Sequence, residues 1–442
     1  MEKKIPTVSL WKFLGHSIDI LKNPLPFHRK NFEKHGDTFR LQIGFGKSVV
    51  FSRDADFARY TLQKNHKNYT KSTIQTEDLA KYVGKGLLTS EGNYWKKQRK
   101  LIQPAFHKKQ LTGLLEKVLG AIQTELLEIK TGIPQDVFPV FNDLAFQTVV
   151  KALFSSAVES SDIKRLQQIT EQTQQMLVKE LRQPYLKWWF HASGKLKSVL
   201  QLTAEARGVL RKLIHDRKAS NKKEGDLLDM LLDARYEDGS AMEEDQLIDE
   251  ILILFSAGHE TTSNALTFTC ELLARHPKVQ ENIFLELKRE ASKKNDLMEY
   301  MKACSYTKQV VEESMRLYPP AYFIDRVNIE EDVFNGMKVP KGTNLLFSLH
   351  EIHIHSNFWD DPEAFKPERF SEGSQKFSSH YYPFGAGPRM CIGNNFAMYE
   401  MILAVAEVVS TYKISEKQTP IEILPLITLK PKNAILEFNL RR

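Results

Sequence analysis

The pattern from Glu243 to Arg275 limits the fold more than any other feature of this chain. Apolar residues recur there at helical spacing with no proline, which predicts one helix of roughly 50 Å at 1.5 Å per residue. A helix that long crosses a whole domain, and the rest must pack around it. Further amphipathic helical stretches begin at Leu111, Ser161 and Lys195, and another starts at Pro277 and ends near Lys293. Strand signals are short. Residues 39–51 alternate at Phe39, Leu41 and Ile43, break at Gly44-Phe45-Gly46 and resume as Val49-Val50-Phe51, which predicts a hairpin or short sheet. Pro319-Pro320 stops a helix, β-like pieces follow to Phe347, and a coil-like stretch runs from His355 to Tyr382. The C-terminus reads as two short strands around Lys430 to Asn433. Helices do not alternate regularly with strands, which argues against a doubly wound sheet. The reading is mainly α (α+β): one large domain over 1–442, with a short N-terminal arm over about 1–30, against the three domains that 442 residues suggest.

Composition narrows the class. With 42% hydrophobic and 26% charged residues, the chain is no disordered tail. Lys+Arg 62 against Asp+Glu 55 gives +7, too diffuse to predict a nucleic-acid partner. Three cysteines cannot build a disulfide framework and suit a reducing compartment. The basic start MEKKIPTVSLWKFLGH lacks the apolar run of a signal peptide. No stretch reaches the ~18 apolar residues of a spanning helix. These features predict a soluble, cytoplasmic protein with no membrane partner. Lys-, Ile- and Asn-rich usage suggests a bacterial source.

Chemistry concentrates at Phe384-Gly385-Ala386-Gly387-Pro388-Arg389-Met390-Cys391-Ile392-Gly393. Three glycines and a proline in ten residues make a constrained turn, and a helical pattern follows at once. Cys391 therefore sits just before a helix N-terminus, where the dipole and open N–H groups favour a thiolate. Small neighbours let backbone N–H groups approach the sulfur, a device that tunes iron–thiolate sites. A buried cysteine in a tight turn is the plainer alternative for a lone Cys.

The segment resembles the haem-binding signature FxxGxRxCxG of the cytochrome P-450 monooxygenases, and every fixed position matches. The resemblance implies a triangular, mainly helical prism with a small β region. It also implies haem b, with Cys391 as the axial ligand of its iron, Phe384 and Gly385 in the haem loop and Arg389 on a propionate. Three more matches follow in the family's order. Glu313-Ser314-Met315-Arg316 places a charge pair one helical turn apart; in the family it joins the arginine of a later segment, here Pro367-Glu368-Arg369-Phe370, to form a buried structural network. Ala257-Gly258-His259-Glu260-Thr261-Thr262 lies within the long helix, where glycine and threonine are poor helix formers. The family uses this stretch as its oxygen groove, with Thr261 and Glu260 as the catalytic alcohol and acid that deliver protons. Trp95 and Arg99 share a helix face and match propionate partners, as does Arg326, while His353 matches a histidine near the haem edge.

The implied activity is insertion of one atom of O2 into a small organic molecule, with NAD(P)H-derived electrons from a separate ferredoxin or flavodoxin and its reductase. Exposed Lys96, Lys97 and Lys100 could dock an acidic redox partner, and the protein is expected to be a monomer. Family alignment puts Leu88, Leu254, Ala257, Tyr322 and Phe323 in the substrate pocket, with Tyr322 as a polar handle. The aromatic run Tyr185, Trp188, Trp189, Phe190 and His191 falls at the family's lid: either packing or an aromatic platform for a ring-shaped ligand. Substrate candidates are a fatty acid, or a methyl ether such as a methylated sugar lost by O-demethylation. The rivals are a peroxide-using haem-thiolate enzyme and a haem-binding module without turnover. A zinc hydrolase fails because His259-Glu260 is followed by Ser263 where HExxH needs histidine.

Overall fold

The computed structural model describes residues 3–44, 46–155, 160–183, 186–220, 222–372, 379–416 and 421–441. Phe45 of the glycine-flanked break and Tyr185 of the aromatic run lie outside the described residues. The chain forms two units, each assembled from segments distant in sequence: Met1–Ser72, Lys308–Cys391 and Ile421–Asn433 in one, and Thr73–Thr307, Ile392–Pro420 and Ala434–Arg442 in the other.

The first unit is organised by a six-stranded mixed sheet, in the order Thr7–Val8, Thr38–Gly44, Lys47–Ser52, Asn344–Ser348, Phe323–Asn328, Tyr69–Thr70. The expected hairpin is its centre, with Phe39 opposite Phe51 and Leu41 opposite Val49. Gly44 and Gly46 both take positive φ at the turn, which glycine adopts at no steric cost. Phe32, Phe39 and Phe51 pack on one another, with Phe39 and Phe51 stacked at 5.3 Å. The N-terminal arm carries elements of its own: Thr7–Val8 pairs in parallel with Arg40 and Leu41, and helices Leu10–Gly15, Ser17–Lys22 and Leu25–His35 follow. The C-terminal strand reading needs correction. Glu422–Pro425 and Leu429–Lys432 form one hairpin, and a third strand, Ile435–Leu440, pairs elsewhere, with Tyr412–Glu416 and Pro134–Asp136. The turn falls at 426–428, where Leu426 N–H donates to Thr428 O.

Charge gathers just past the ends of two strands of the six-stranded sheet, Lys47–Ser52 and Asn344–Ser348. Glu351 is 3% exposed, 3.1 Å from Arg29 and 3.5 Å from Arg53, with the His350 ring at 3.4 Å. Burial opposes its ionisation, yet His350 and Arg29 outweigh it and hold the carboxyl at about 2. An unfolded glutamate titrates near 4.3, so the folded state binds this proton less tightly than the unfolded chain. The stabilisation is complete above that value and is lost as pH falls towards 2, a difference of about 3 kcal/mol. Glu351→Gln should therefore melt well below the parent at pH 6 and close to it at pH 2–3; an equal gap at both pH values would refute the assignment.

The second unit is helical. The central helix runs Glu244–Arg275, one residue short of the sequence reading. It packs on Phe138–Phe154, where Phe146 stacks on Phe255 at 5.5 Å. A Cβ on Gly258 would lie 3.0 Å from Val149, so this glycine permits the close approach. The helix predicted from Leu111 is interrupted at Gly113 and resumes as Leu115–Leu126. Helices Ser160–Arg182 and Lys195–Ser220 match their predicted starts within a residue. On the helix Asn394–Thr411, Glu400 is fully buried and bonded to the Thr148 hydroxyl. Burial pushes its carboxyl up to about 8, which keeps it neutral at ordinary pH. No helix among the described residues is long and apolar enough to cross a membrane.

Candidate active site

In the first unit, Cys391 ends a loop whose backbone leaves little choice. Cys391 N–H donates to Phe384 O at 2.9 Å, Gly385 N–H to Tyr382 O at 3.0 Å and Met390 N–H to Gly387 O at 3.0 Å. Gly385 and Gly387 both hold φ near +70°. At Gly387 a Cβ would stand 2.0 Å from Leu62 O, so no other residue fits. The outcome is an exposed Cys391, whereas Cys270 and Cys304 are buried. Burial raises both of those thiols well above the ordinary cysteine value, which makes them inert. A soft sulfur donor held outward by a rigid turn, just ahead of a helix, is the donor chemistry that haem iron takes.

Behind the loop lies the charge network. Arg316 and Glu313 are both fully buried and form a two-pronged pair at 2.7 and 2.8 Å. Arg316 also donates to His353 O (2.8 Å), Pro362 O (2.7 Å) and Ala364 O (3.0 Å), and its guanidinium covers the Trp359 ring at 4.9 Å. Glu313 further accepts from Lys366 N–H at 2.9 Å and lies 3.3 Å from Arg369. The structure brings Glu313, Arg316 and Arg369 together, the arrangement that the family resemblance implied. His353 is buried, with its Nε2 accepting from Tyr382 N–H at 2.8 Å. Burial drives its pKa well down, so it stays neutral and anchors the segment entering the cysteine loop. Sequence reasoning had not identified Tyr381 and Tyr382 as the link: Tyr381 Oη donates to Glu312 O at 2.8 Å.

Arg326 is 8% exposed on its strand and donates to Asp325 O at 2.6 Å; Arg389 is half-buried. Two pocket expectations are corrected here. Tyr322 lies in a core cluster with Leu25 and Leu429, and its hydroxyl is spent on Leu426 O at 2.7 Å, so it offers no polar handle. Phe323 turns into the sheet core, edge-on to His28 at 5.4 Å and Phe51 at 6.2 Å. Ile324, one residue on, lies beside Gly385 instead, with Cδ1 3.5 Å from where a Cβ would be.

In the second unit, the central helix is buried from Glu250 to Ile253 and again from Thr262 to Ala274, but opens along one face between them. Leu254 and Thr261 are half-buried and Ala257 is exposed, at i, i+7 and i+3 on that face. Thr261 donates its hydroxyl to Ala257 O at 2.8 Å and Thr262 to Gly258 O at 3.0 Å. Glu260 sits half-buried beside them. An open stripe in an otherwise buried helix, carrying an alcohol and an acid, can receive a flat apolar group and hand it protons. Leu88 reaches the same cluster by a device the sequence reading missed. Leu87 N–H donates to Glu250 Oε2 (3.0 Å) and Lys85 N–H to Asp249 Oδ2 (2.8 Å), which seats the 84–88 loop on the central helix. Gly84 and Gly86 were the available signal, because a Cβ on either would strike those carboxylates.

Trp95 is buried on the helix Gly92–Ile102, and Arg99, one turn on, is half-buried with Nε on Gln103 at 3.1 Å. Lys96 and Lys97 are exposed on the other side, whereas Lys100 is committed to Glu237. Trp188 and Trp189 are exposed and Phe190 is buried.

The sequence matches the family model described as Cytochrome P450 over residues 5–438. The fold superposes on the crystal structure of the cytochrome P450DA heme domain with a TM-score of 0.88 and 20% identity, covering 100% of this chain and 99% of that one. Among curated proteins, the chain is 26% identical to cyclooctat-9-en-7-ol 5-monooxygenase of Streptomyces melanosporofaciens over 91% of this chain and 87% of that protein. It is likewise 26% identical to pentalenene oxygenase of Streptomyces avermitilis, over 91% and 89%. It is 27% identical to cytokinin hydroxylase of Arabidopsis thaliana, over 97% and 87%. The class is a haem-dependent monooxygenase of mainly helical fold. The chain belongs to the cytochrome P450 family. It is accordingly a haem-thiolate enzyme that uses haem b, O2 and reducing equivalents delivered by redox proteins to oxidise a small molecule.

Proposed function

We propose that this chain acts as one haem domain, hydroxylating an apolar small molecule, with Cys391 holding the iron. Arg389, Arg326, Trp95 and Arg99 anchor the haem propionates, and Phe384 and Gly385 shape the loop under the ring. When bound, haem supplies the oxidising chemistry; the chain supplies binding, orientation and protons. The carrying observation is the open stripe of the central helix: Leu254 and Ala257 are hydrocarbon, and Thr261 and Glu260 stand beside them as an alcohol and an acid. Thr261 points its hydroxyl proton at Ala257 O, which leaves the oxygen lone pairs outward as an acceptor, and Glu260 replenishes protons from the next position. With Tyr322 committed elsewhere, the stripe favours a hydrocarbon chain or ring, including the chain of a fatty acid, over a methylated sugar. O-Demethylation of an apolar methyl ether uses the same groups.

A panel of dodecanoate, cyclooctat-9-en-7-ol, pentalenene, an aryl methyl ether and a methylated sugar, scored by the low-to-high-spin shift, tests the reading. A shift with the sugar alone would overturn it. Thr261→Ala should lower product per NAD(P)H by on the order of tenfold or more and raise peroxide correspondingly, at an unchanged spin state. Unaltered coupling would remove Thr261 from its role.

The electron donor in this proposal is a ferredoxin or flavodoxin, with the enzyme a cytoplasmic monomer. The exposed cations Lys96 and Lys97 support an acidic partner, although Glu237 and Asp238 lie close enough to Lys97 to temper it. Lys97→Glu should slow the first reduction several-fold at low salt and far less at high salt. A reduction rate independent of the charge at 97 would refute this docking face.

A further inference from the structure

We propose a second ligand site, separate from the oxygen groove, in the cleft where the helices Ser160–Arg182 and Lys195–Ser220 are bridged by the short helix Lys187–Ala192; its ligand is an amphiphilic carboxylate. The cleft has a volume of about 470 Å³, within the range of small-molecule sites. Its wall is mixed: Met176, Leu186, Phe190 and Val199 give it hydrocarbon, polar side chains such as Gln175 and Ser198 interleave with them, and the exposed Trp189 also lines it. Its mouth is cationic, because Lys179 and Lys195 line it from two different helices and both are exposed. Among the described residues neither has an ion-pair partner, whereas Lys187, beside the tryptophans, is committed to Asp78 at 3.0 Å and Lys81 to Glu180 at 2.7 Å.

The helix geometry separates this cleft from the groove. Gln172, Gln175, Met176 and Lys179 recur at i, i+3, i+4 and i+7, one face of their helix. Gln174, about 150° round the same helix at 100° per residue, donates instead to Ser256 O of the central helix at 3.4 Å. The cleft therefore opens on the side turned away from Ala257 and Thr261. The hydrocarbon part of the wall takes an apolar body, and two uncommitted ammonium groups select one negative charge at its end. A neutral alcohol leaves both cations unused, and a cationic amphiphile is repelled.

The test uses the haem-loaded enzyme and radiolabelled dodecanoate in equilibrium dialysis, with spin-state titration run in parallel. The expected result is saturable dodecanoate binding that the haem spectrum does not report. The double variant Lys179→Glu/Lys195→Glu should weaken that binding about tenfold or more, and Trp189→Ala should weaken it a few-fold, both leaving the spectral titration unchanged. Dodecanol and dodecyltrimethylammonium should not compete. Both lysines are exposed, so folding is not at stake. Absence of a spectrally silent site, binding indifferent to the charge reversal, or equal competition by dodecanol would each overturn the proposal. None of these outcomes bears on the reaction at the haem.

Discussion

Purified Cys391→Ser should lose the red-shifted Soret band of its reduced, carbon-monoxide-bound form entirely, and monooxygenase turnover with it. The loop itself should survive, because its hydrogen bonds run through backbone atoms and its turn depends on Gly385 and Gly387. Serine matches cysteine in shape but presents a hard oxygen that does not ionise at neutral pH. Loss of a partner one shell out from a metal costs about 10–100-fold in affinity or activity, so loss of the ligand itself must exceed that. Circular dichroism and melting close to the parent would show that the effect is ligation and not folding. A Cys391→Ser protein with the parent's spectrum and turnover would end the haem-thiolate assignment for this residue.

Arg316→Leu should be the most damaging change outside the ligand. It leaves the Glu313 carboxylate fully buried with Arg369 as its remaining charge partner, and strips donors from three carbonyls, His353 O, Pro362 O and Ala364 O. Removing one partner of a buried ion pair costs about 3–5 kcal/mol. The expected result is a sharply lower denaturation midpoint and poor haem retention. Arg316→Lys should fall between, since one ammonium replaces a planar fork that serves Glu313 and three carbonyls. Denaturant unfolding of the three proteins decides it; a leucine variant as stable as the parent would make the network dispensable.

Much of this was legible in the sequence, for physical reasons. The central helix declares itself through an uninterrupted 3.6-residue period. The cysteine loop does so because its positive-φ positions admit almost nothing but glycine. Glu313 and Arg316 are one turn apart, so their pairing is a local matter; their meeting with Arg369 is not, and only the family resemblance reached it. What stayed hidden depends on tertiary direction. Tyr322 and Phe323 sit where a strand begins, and local pattern alone does not say that both turn into cores formed with Leu429 and with His28 and Phe51. The Asp249 and Glu250 seats for the 84–88 loop join residues more than 160 positions apart, so no periodicity could announce them. The C-terminal hairpin was misplaced because Pro425 and Pro431 blur the strand signal; Pro425 is the last residue of its strand and Pro431 falls inside the other.

Glu400 carries one last consequence. A neutral acid wedged against Thr148 gives up its proton near pH 8 when folded, but near 4.3 once the chain opens. Each step in alkalinity between those values therefore tilts the balance towards opening, and beyond the upper one an anion must sit among hydrocarbon. The helix that continues from the cysteine loop thus carries a group whose share of the stability drains away between about pH 4.3 and 8 and falls no further above it.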